Sequence, residues 1–246
     1  MLQSVLIISP SGLVLFSKEF VQSAKSPSIL AGVITALSAF SVQRTGVPVR
    51  YIELASVSVA ISSAVDARCA VFYDVEDGAS FGKLLSREIL GTFLELYAEE
   101  LRGSGASLAL EQFGDFRAKL GPAIQGIAVP VLDQLSLQRG IEMAMLCRGD
   151  SVVHCTSEID ELELMANHHA LIAVAGDMMT GQGDSSEVIS LTGRRTTTVL
   201  YRVQEASFIV VYLNSVSAAL CIQHIERTVA LLSTALLTSK SLEHPV

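Results

Sequence analysis

The chain opens with "SVLIISPSGLVLFSKEF", two apolar runs on either side of Pro10-Ser11-Gly12. Apolar runs broken by such a turn predict a β-hairpin. Residues 26 to 43, "SPSILAGVITALSAFSVQ", follow with helical spacing and no Asp, Glu, Lys or Arg. "VRYIELASVSVAISSA" alternates apolar and small polar residues, and "ARCAVFYDV" reads as a continuous apolar strand after the turn Asp66-Ala67-Arg68. Beyond Asp77-Gly78, Leu85, Ile89, Phe93, Leu96 and Leu101 form one helical stripe with charges opposite. Gly103-Ser104-Gly105 breaks that helix, and "LALEQFGDFRAKLGPAI" predicts another.

From residue 129 the order begins again. "VPVLDQLSLQ" predicts a short leading helix, and "IEMAMLCRGDSVVHCTSE" a hairpin turning at Arg148-Gly149-Asp150. "IDELELMANHHALIAVAGDMM" predicts a helix, with Ser157 and Asp160 spaced as a capping box. "EVISLTGRRTTTVLYRV" predicts a strand pair, "SFIVVYLNS" a buried strand and "SAALCIQHIERTVALLSTALL" a closing helix. Gly12 precedes Asp74 by nearly the separation at which Gly149 precedes Asn214. The order hairpin, helix, three strands, helix thus occurs twice, a structural repeat with slight sequence identity. It predicts an α+β protein of two similar domains, each a five-stranded antiparallel sheet flanked by helices, joined near Gly126 to Pro130.

A charge-free helix needs cover on both sides. Ala31, Gly32, Thr35, Ala36 and Ala39 interleave with Ile29, Leu30, Val33, Ile34, Leu37 and Phe40. The expectation is that large residues pack on the sheet while Gly32 and Ala36, one turn apart, admit another helix. The matching helix of the second half is also apolar around its circumference, through Leu162, Leu164, Met165, Leu171, Ile172, Val174, Met178 and Met179, with His168 among them. Candidate interface residues are therefore Ile29, Gly32, Val33, Ala36, Phe40, Leu164, Met165, His168, Leu171, Ile172 and Met178. Three arrangements satisfy the pattern: the two helices cover one another within the chain, each meets a partner chain, or both are central in one larger core.

Composition sharpens this picture. Half of the 246 residues are hydrophobic and mean hydropathy is +0.48, yet no run is apolar and long enough to span a bilayer. Surplus apolar surface points to interfaces. A net charge of −8 argues against nucleic acid. Met1-Leu2-Gln3-Ser4 has no basic region of a secretory signal, and Cys69, Cys147, Cys155 and Cys221 lack CxxC spacing. The expectation is a cytoplasmic chain with reduced, buried thiols.

Catalytic chemistry is not apparent. His154 and Cys155 are strand neighbours that point to opposite faces, which speaks against a zinc site with Cys147, His168 and His169. "GQGDSS" follows a helix and precedes a strand, the reverse of a dinucleotide fingerprint, and GxxxxGK[ST] is absent. Asp74, Glu76 and Asp77 read as a solvated loop, and no nucleophile arrangement emerges. No cofactor is expected. Arg194 and Arg195, at a hairpin tip beside Thr196, Thr197 and Thr198, are possible contacts for an acidic partner or for phosphate charge; as a basic turn they would also keep a sheet edge soluble.

The first half, through "SVLIISPSGLVLFSKEF" and "GVITALSAF", resembles longin domains. The second, with its leading helix before "GIEMAMLCRGDSVVHC", is similar to roadblock (dynein light chain-type) domains. The resemblance implies a longin-like domain over 1–128, a roadblock-like domain over 129–240 and a disordered tail over 241–246. It further implies a non-enzymatic adaptor or regulatory subunit that binds a small GTPase, assembles with other longin or roadblock subunits as a homo- or hetero-oligomer, and reaches endomembranes peripherally through partners. It transfers no catalytic residue. The alternative reading is a pair of PAS- or profilin-like domains that sense a small ligand, with an enzyme third.

Overall fold

The computed structural model of the chain describes residues 2–21, 26–103, 110–158, 169–174 and 188–243. It divides into two compact units, Met1–Ile127 with Thr238–Val246, and Ala128–Leu237. Each holds a five-stranded antiparallel sheet flanked by helices, the α+β fold expected from the repeated pattern.

In the first unit, strands β1 (Leu2–Ile8) and β2 (Val14–Glu19) form the opening hairpin, with Gly12 at φ +93° in its turn. Helix α1 (Pro27–Thr45) follows, then β3 (Tyr51–Glu53), β4 (Val57–Ser63) and β5 (Arg68–Asp74). The sheet order is β2-β1-β5-β4-β3. Pairing sets the two faces: Leu6 lies opposite Ala70 and Val59 opposite Phe72, whereas Val5 lies opposite Val71. A register shift between Ile7 and Ile8 turns Val14 to one face and Phe16, the partner of Ile7, to the other. Leu6, Ile8, Val14, Val59, Ile61 and Ala70 pack beneath Ala31 and Ile34 of α1.

The opposite face packs on helices α2 (Gly78–Gly103) and α3 (Phe116–Gln125). Leu85, Ile89 and Phe93 are buried as the stripe predicts, but Leu96 is exposed. A non-helical residue, Tyr97, kinks α2 there, and its ring takes the inward position against Phe93, 4.9 Å between centroids. The segment expected to be one helix through "LEQFGDFRAKL" is a 3-10 turn (Leu110–Phe113) followed by α3. The break at Gly114-Asp115 lets Phe113 and Phe116 both reach Phe93, at 5.3 and 5.1 Å, and Phe116 meets Phe16 edge-on at 5.1 Å.

The second unit begins with α4 (Ala128–Ser136), so residues 128 to 130, expected within the linker, are helical. Strands β6 (Ile141–Arg148), β7 (Ser151–Cys155), β8 (Val188–Thr192), β9 (Thr196–Val203) and β10 (Ala206–Leu213) pair in the order β7-β6-β10-β9-β8. Numbered within its own half, this is the order of the first sheet. One face gathers Met143, Met145, Cys147, Leu200 and Ile209, with Ile172 packed on them. His154 Nε2 on β7 meets Asp133 Oδ1 of α4 at 2.7 Å, while its neighbour Cys155 packs on the other face, as strand alternation requires.

Helix α5 (Ala218–Glu243) buries Cys221, Ile225, Thr228, Leu232 and Ala235, a regular helical stripe. It runs into the stretch expected to be a disordered tail; residues 244–246 lie outside those described.

Candidate protein interface

Helix α1 starts with Pro27, whose fixed φ suits the first turn, and ends at Gly46 in the left-handed region, with its N–H donating to Val42 O at 2.9 Å. Between them the side chains are placed inside out. The residues buried against the sheet are Ala31, Ile34 and Ser38, with Leu30 half-buried beside them. The hydroxyls of Thr35 and Ser38 are buried without a hydrogen-bond partner among the described residues. Ile29 (66% exposed), Val33 (51%), Leu37 (42%) and Phe40 (59%) face outward. The expectation that the large residues pack on the sheet is therefore corrected: of the large residues only Leu30 and Ile34 do so.

Gly32 and Ala36 lie in the same outward stripe, and a Cβ placed on Gly32 would meet nothing within 4 Å. The five α1 residues anticipated from sequence are thus on one exposed face. Leu37 belongs with them; its position four residues after Val33 was the available signal. The stripe stays free of charge until Arg44, whose guanidinium lies 5.8 Å from the Phe40 ring centroid.

The four large side chains together present roughly 400 Å² of apolar surface, taking about 200 Å² for each when fully exposed. That matches the largest apolar patch of an ordinary monomer, about 300–600 Å². Covering it contributes about 10 kcal/mol at ~25 cal/mol per Å², the same order as the cost of association, ~4–15 kcal/mol. A partner that covers this stripe with an equal area of its own buries roughly 800 Å², below the ~1,200 Å² of a stable interface. The stripe is large enough to be the centre of an interface and too small to be all of it.

In the second unit the corresponding helical segment is described over residues 169–174. Leu171 and Ile172 are half-buried, Ile172 on the sheet, and Val174 is 58% exposed. His169 Nε2 lies 3.2 Å from Asp150 Oδ1 of the β6–β7 turn. Leu164, Met165, His168 and Met178 lie outside the described residues, as do Asp160 of the capping box and the "GQGDSS" segment.

Arg194 and Arg195 are exposed at the β8–β9 turn, apart from the residues of α1 in the chain and held by a different device. Asn214 clasps the turn: its backbone N–H donates to Arg195 O at 2.9 Å and its Nδ2 to Gly193 O at 2.8 Å. Its Oδ1 accepts from Thr197 Oγ1 at 2.7 Å, and Gly193 N–H closes the hairpin on Thr196 O at 2.9 Å. Thr197 is buried, and its neighbours Thr196 and Thr198 are half-buried. Sequence reading missed Asn214, because only the pairing of β9 and β10 brings it to the turn.

Among the described residues no three His, Cys, Asp or Glu side chains converge in a manner that could hold a metal ion. Cys69, Cys147 and Cys221 are buried and Cys155 is half-buried. Complete burial pushes the Cys69 thiol far above its ordinary value, and burial raises Cys221 also. No described helix is long and apolar enough to cross a membrane.

No family model matches the sequence, and no curated protein matches it. Among solved structures the chain is similar to MglB of Myxococcus xanthus, at 16% identity and a TM-score of 0.42, over 45% of this chain and 95% of that one. The gliding protein MglB of Thermus thermophilus gives 17% identity and 0.43, over 47% and 93%. A Roadblock/LC7 domain of Streptomyces avermitilis gives 12% and 0.39, over 44% and 95%. Each covers less than half of this chain.

Proposed function

We propose that this protein is a non-enzymatic adaptor or regulatory subunit, which assembles through the outer face of α1 with the longin- or roadblock-type module of a second copy of the chain and binds a small GTPase. The observation that carries the reading is the inverted helix: its most apolar side is its exposed side, and that side bears no charge before Arg44. A helix facing only water gains nothing from that arrangement, whereas a dry contact with a second helix explains both the large side chains and the small residues between them. The resemblance of the first half of the sequence to longin domains and of the second to roadblock domains supports a GTPase as the partner class and a cytoplasmic site of action, peripheral on endomembranes through partners.

The test is binding of the full chain to a panel of purified small GTPases, each loaded with GDP or a non-hydrolysable GTP analogue, by biolayer interferometry. The reading predicts at least one GTPase bound with a preference for one nucleotide state, without release of phosphate beyond the intrinsic rate when the chain acts alone. A full panel without binding contradicts it.

A further inference from the structure

The two sheets close their corresponding hairpins in the same way. In the first unit Leu54-Ala55-Ser56 joins β3 to β4, and Leu54 N–H donates to Val57 O at 2.9 Å. In the second, Gly193-Arg194-Arg195 joins β8 to β9 with the equivalent bond, also 2.9 Å. Turns of equal length and equal closure carry no charge in one unit and two adjacent arginines in the other. The turn itself therefore does not require arginine.

A third arginine stands at the same end of the second sheet. Leu213 N–H donates to Gly140 O at 2.8 Å on one side of β10, and the next residue, Asn214, donates to Arg195 O on the other. Gly140 and Arg195 are thus two strand spacings apart, about 10 Å. Arg139, exposed next to Gly140, and the Arg194-Arg195 pair flank one stretch of sheet end. Extended arginine side chains bridge such a distance. None of the three guanidinium groups is in an ion pair among the described residues.

We propose that this end of the second sheet, Arg139 with Arg194 and Arg195 held in place by Asn214, is a docking site for an acidic segment of a partner protein. Guanidinium forks match carboxylates in geometry and charge. Anionic membrane is the poorer fit: polybasic lipid contacts use about 4–8 cationic residues, whereas here three stand on a chain of net charge −8. The clasp fixes the backbone at Gly193 and Arg195, which serves recognition of a shaped partner more than attraction to a fluid surface. This surface is independent of α1, so either assignment stands without the other.

The probe is a fluorescein-labelled ten-residue glutamate peptide, titrated with the full chain at low salt and followed by anisotropy. The triple variant R139S/R194A/R195S gives the turn the Ala-Ser pair found at residues 55 and 56, and should keep the wild-type melting temperature while binding the peptide about tenfold more weakly. Asn214→Ala, which keeps every charge and loosens the turn, should fall between the two. Equal binding by wild type and triple variant overturns the proposal, and so does a wild-type chain that ignores the peptide. Flotation with phosphatidylserine-containing vesicles in place of peptide binding overturns it in favour of membrane.

Discussion

Replacing a helical glycine by alanine should destabilise the first unit at one position and stabilise it at two others. Gly82 of α2 is buried over β5, and a Cβ built there would occupy the space of the Tyr73 ring at its Cε1, Cζ and Oη. Tyr73 is fully buried and held edge-on by Phe81, with 6.1 Å between centroids, so neither ring has room to retreat. Alanine brings about 1 kcal/mol of helix propensity, against which overpacking of a filled core costs about 1–3 kcal/mol or more. With overlap of this severity Gly82→Ala should come out destabilising by roughly 2 kcal/mol. Gly32 of α1 and Gly91 of α2 have nothing within 4 Å of a Cβ, so Gly32→Ala and Gly91→Ala should gain about 0.5–1 kcal/mol. Thermal unfolding followed by circular dichroism at low protein concentration separates these outcomes, since 1 kcal/mol moves the midpoint by about 3–6 °C in a unit of this size. If Gly82→Ala stabilises as Gly91→Ala does, α2 does not lie this close to β5, and the description of the first core is wrong.

Two further outcomes follow from the same unit and from the thiols. Gln3 Nε2 donates to Asp74 Oδ1 at 2.7 Å and holds that carboxyl below the usual carboxylate range. A depressed pKa contributes stability above the unfolded value, about 3.9, that is lost as pH falls through the folded one; Asp74→Asn should flatten this acid limb in urea melts between pH 6 and pH 2. Under native conditions a thiol reagent monitored by mass spectrometry should modify half-buried Cys155 first, with Cys69 inert until unfolding, and rapid labelling of Cys69 would contradict its complete burial.

The fold was legible because its punctuation is local. Gly12 and Gly149 stand in hairpin turns at φ +93° and +55°, where other residues are strained, and the strands between turns carry the expected apolar runs. Leu85, Ile89 and Phe93 could be phased because charged residues mark the other side of α2. In α1 the same reasoning had nothing to work on: without a charged face, periodicity cannot say which side meets the sheet, and hydrophobicity alone chose the wrong one. Leu96 and the 3-10 turn at 110–113 failed for another reason. The Tyr97 kink and the gathering of Phe93, Phe113 and Phe116 are settled by aromatic packing across elements, which no local window contains. Arg194 and Arg195 were visible as a charged turn, but the approach of Arg139 and the Asn214 clasp depend on strand order.

A contact between two copies of the chain through the outer face of α1 would be read by sedimentation velocity. Wild type and Val33→Glu would be compared across a concentration series, beside Lys119→Glu on the exposed side of α3 as a control. Val33 is half exposed, so the substitution should leave the unit folded. That contact predicts that wild type and control sediment as an assembly at micromolar concentration and that Val33→Glu sediments as the 26.2 kDa monomer with an unchanged melt. Identical sedimentation of all three proteins would contradict it.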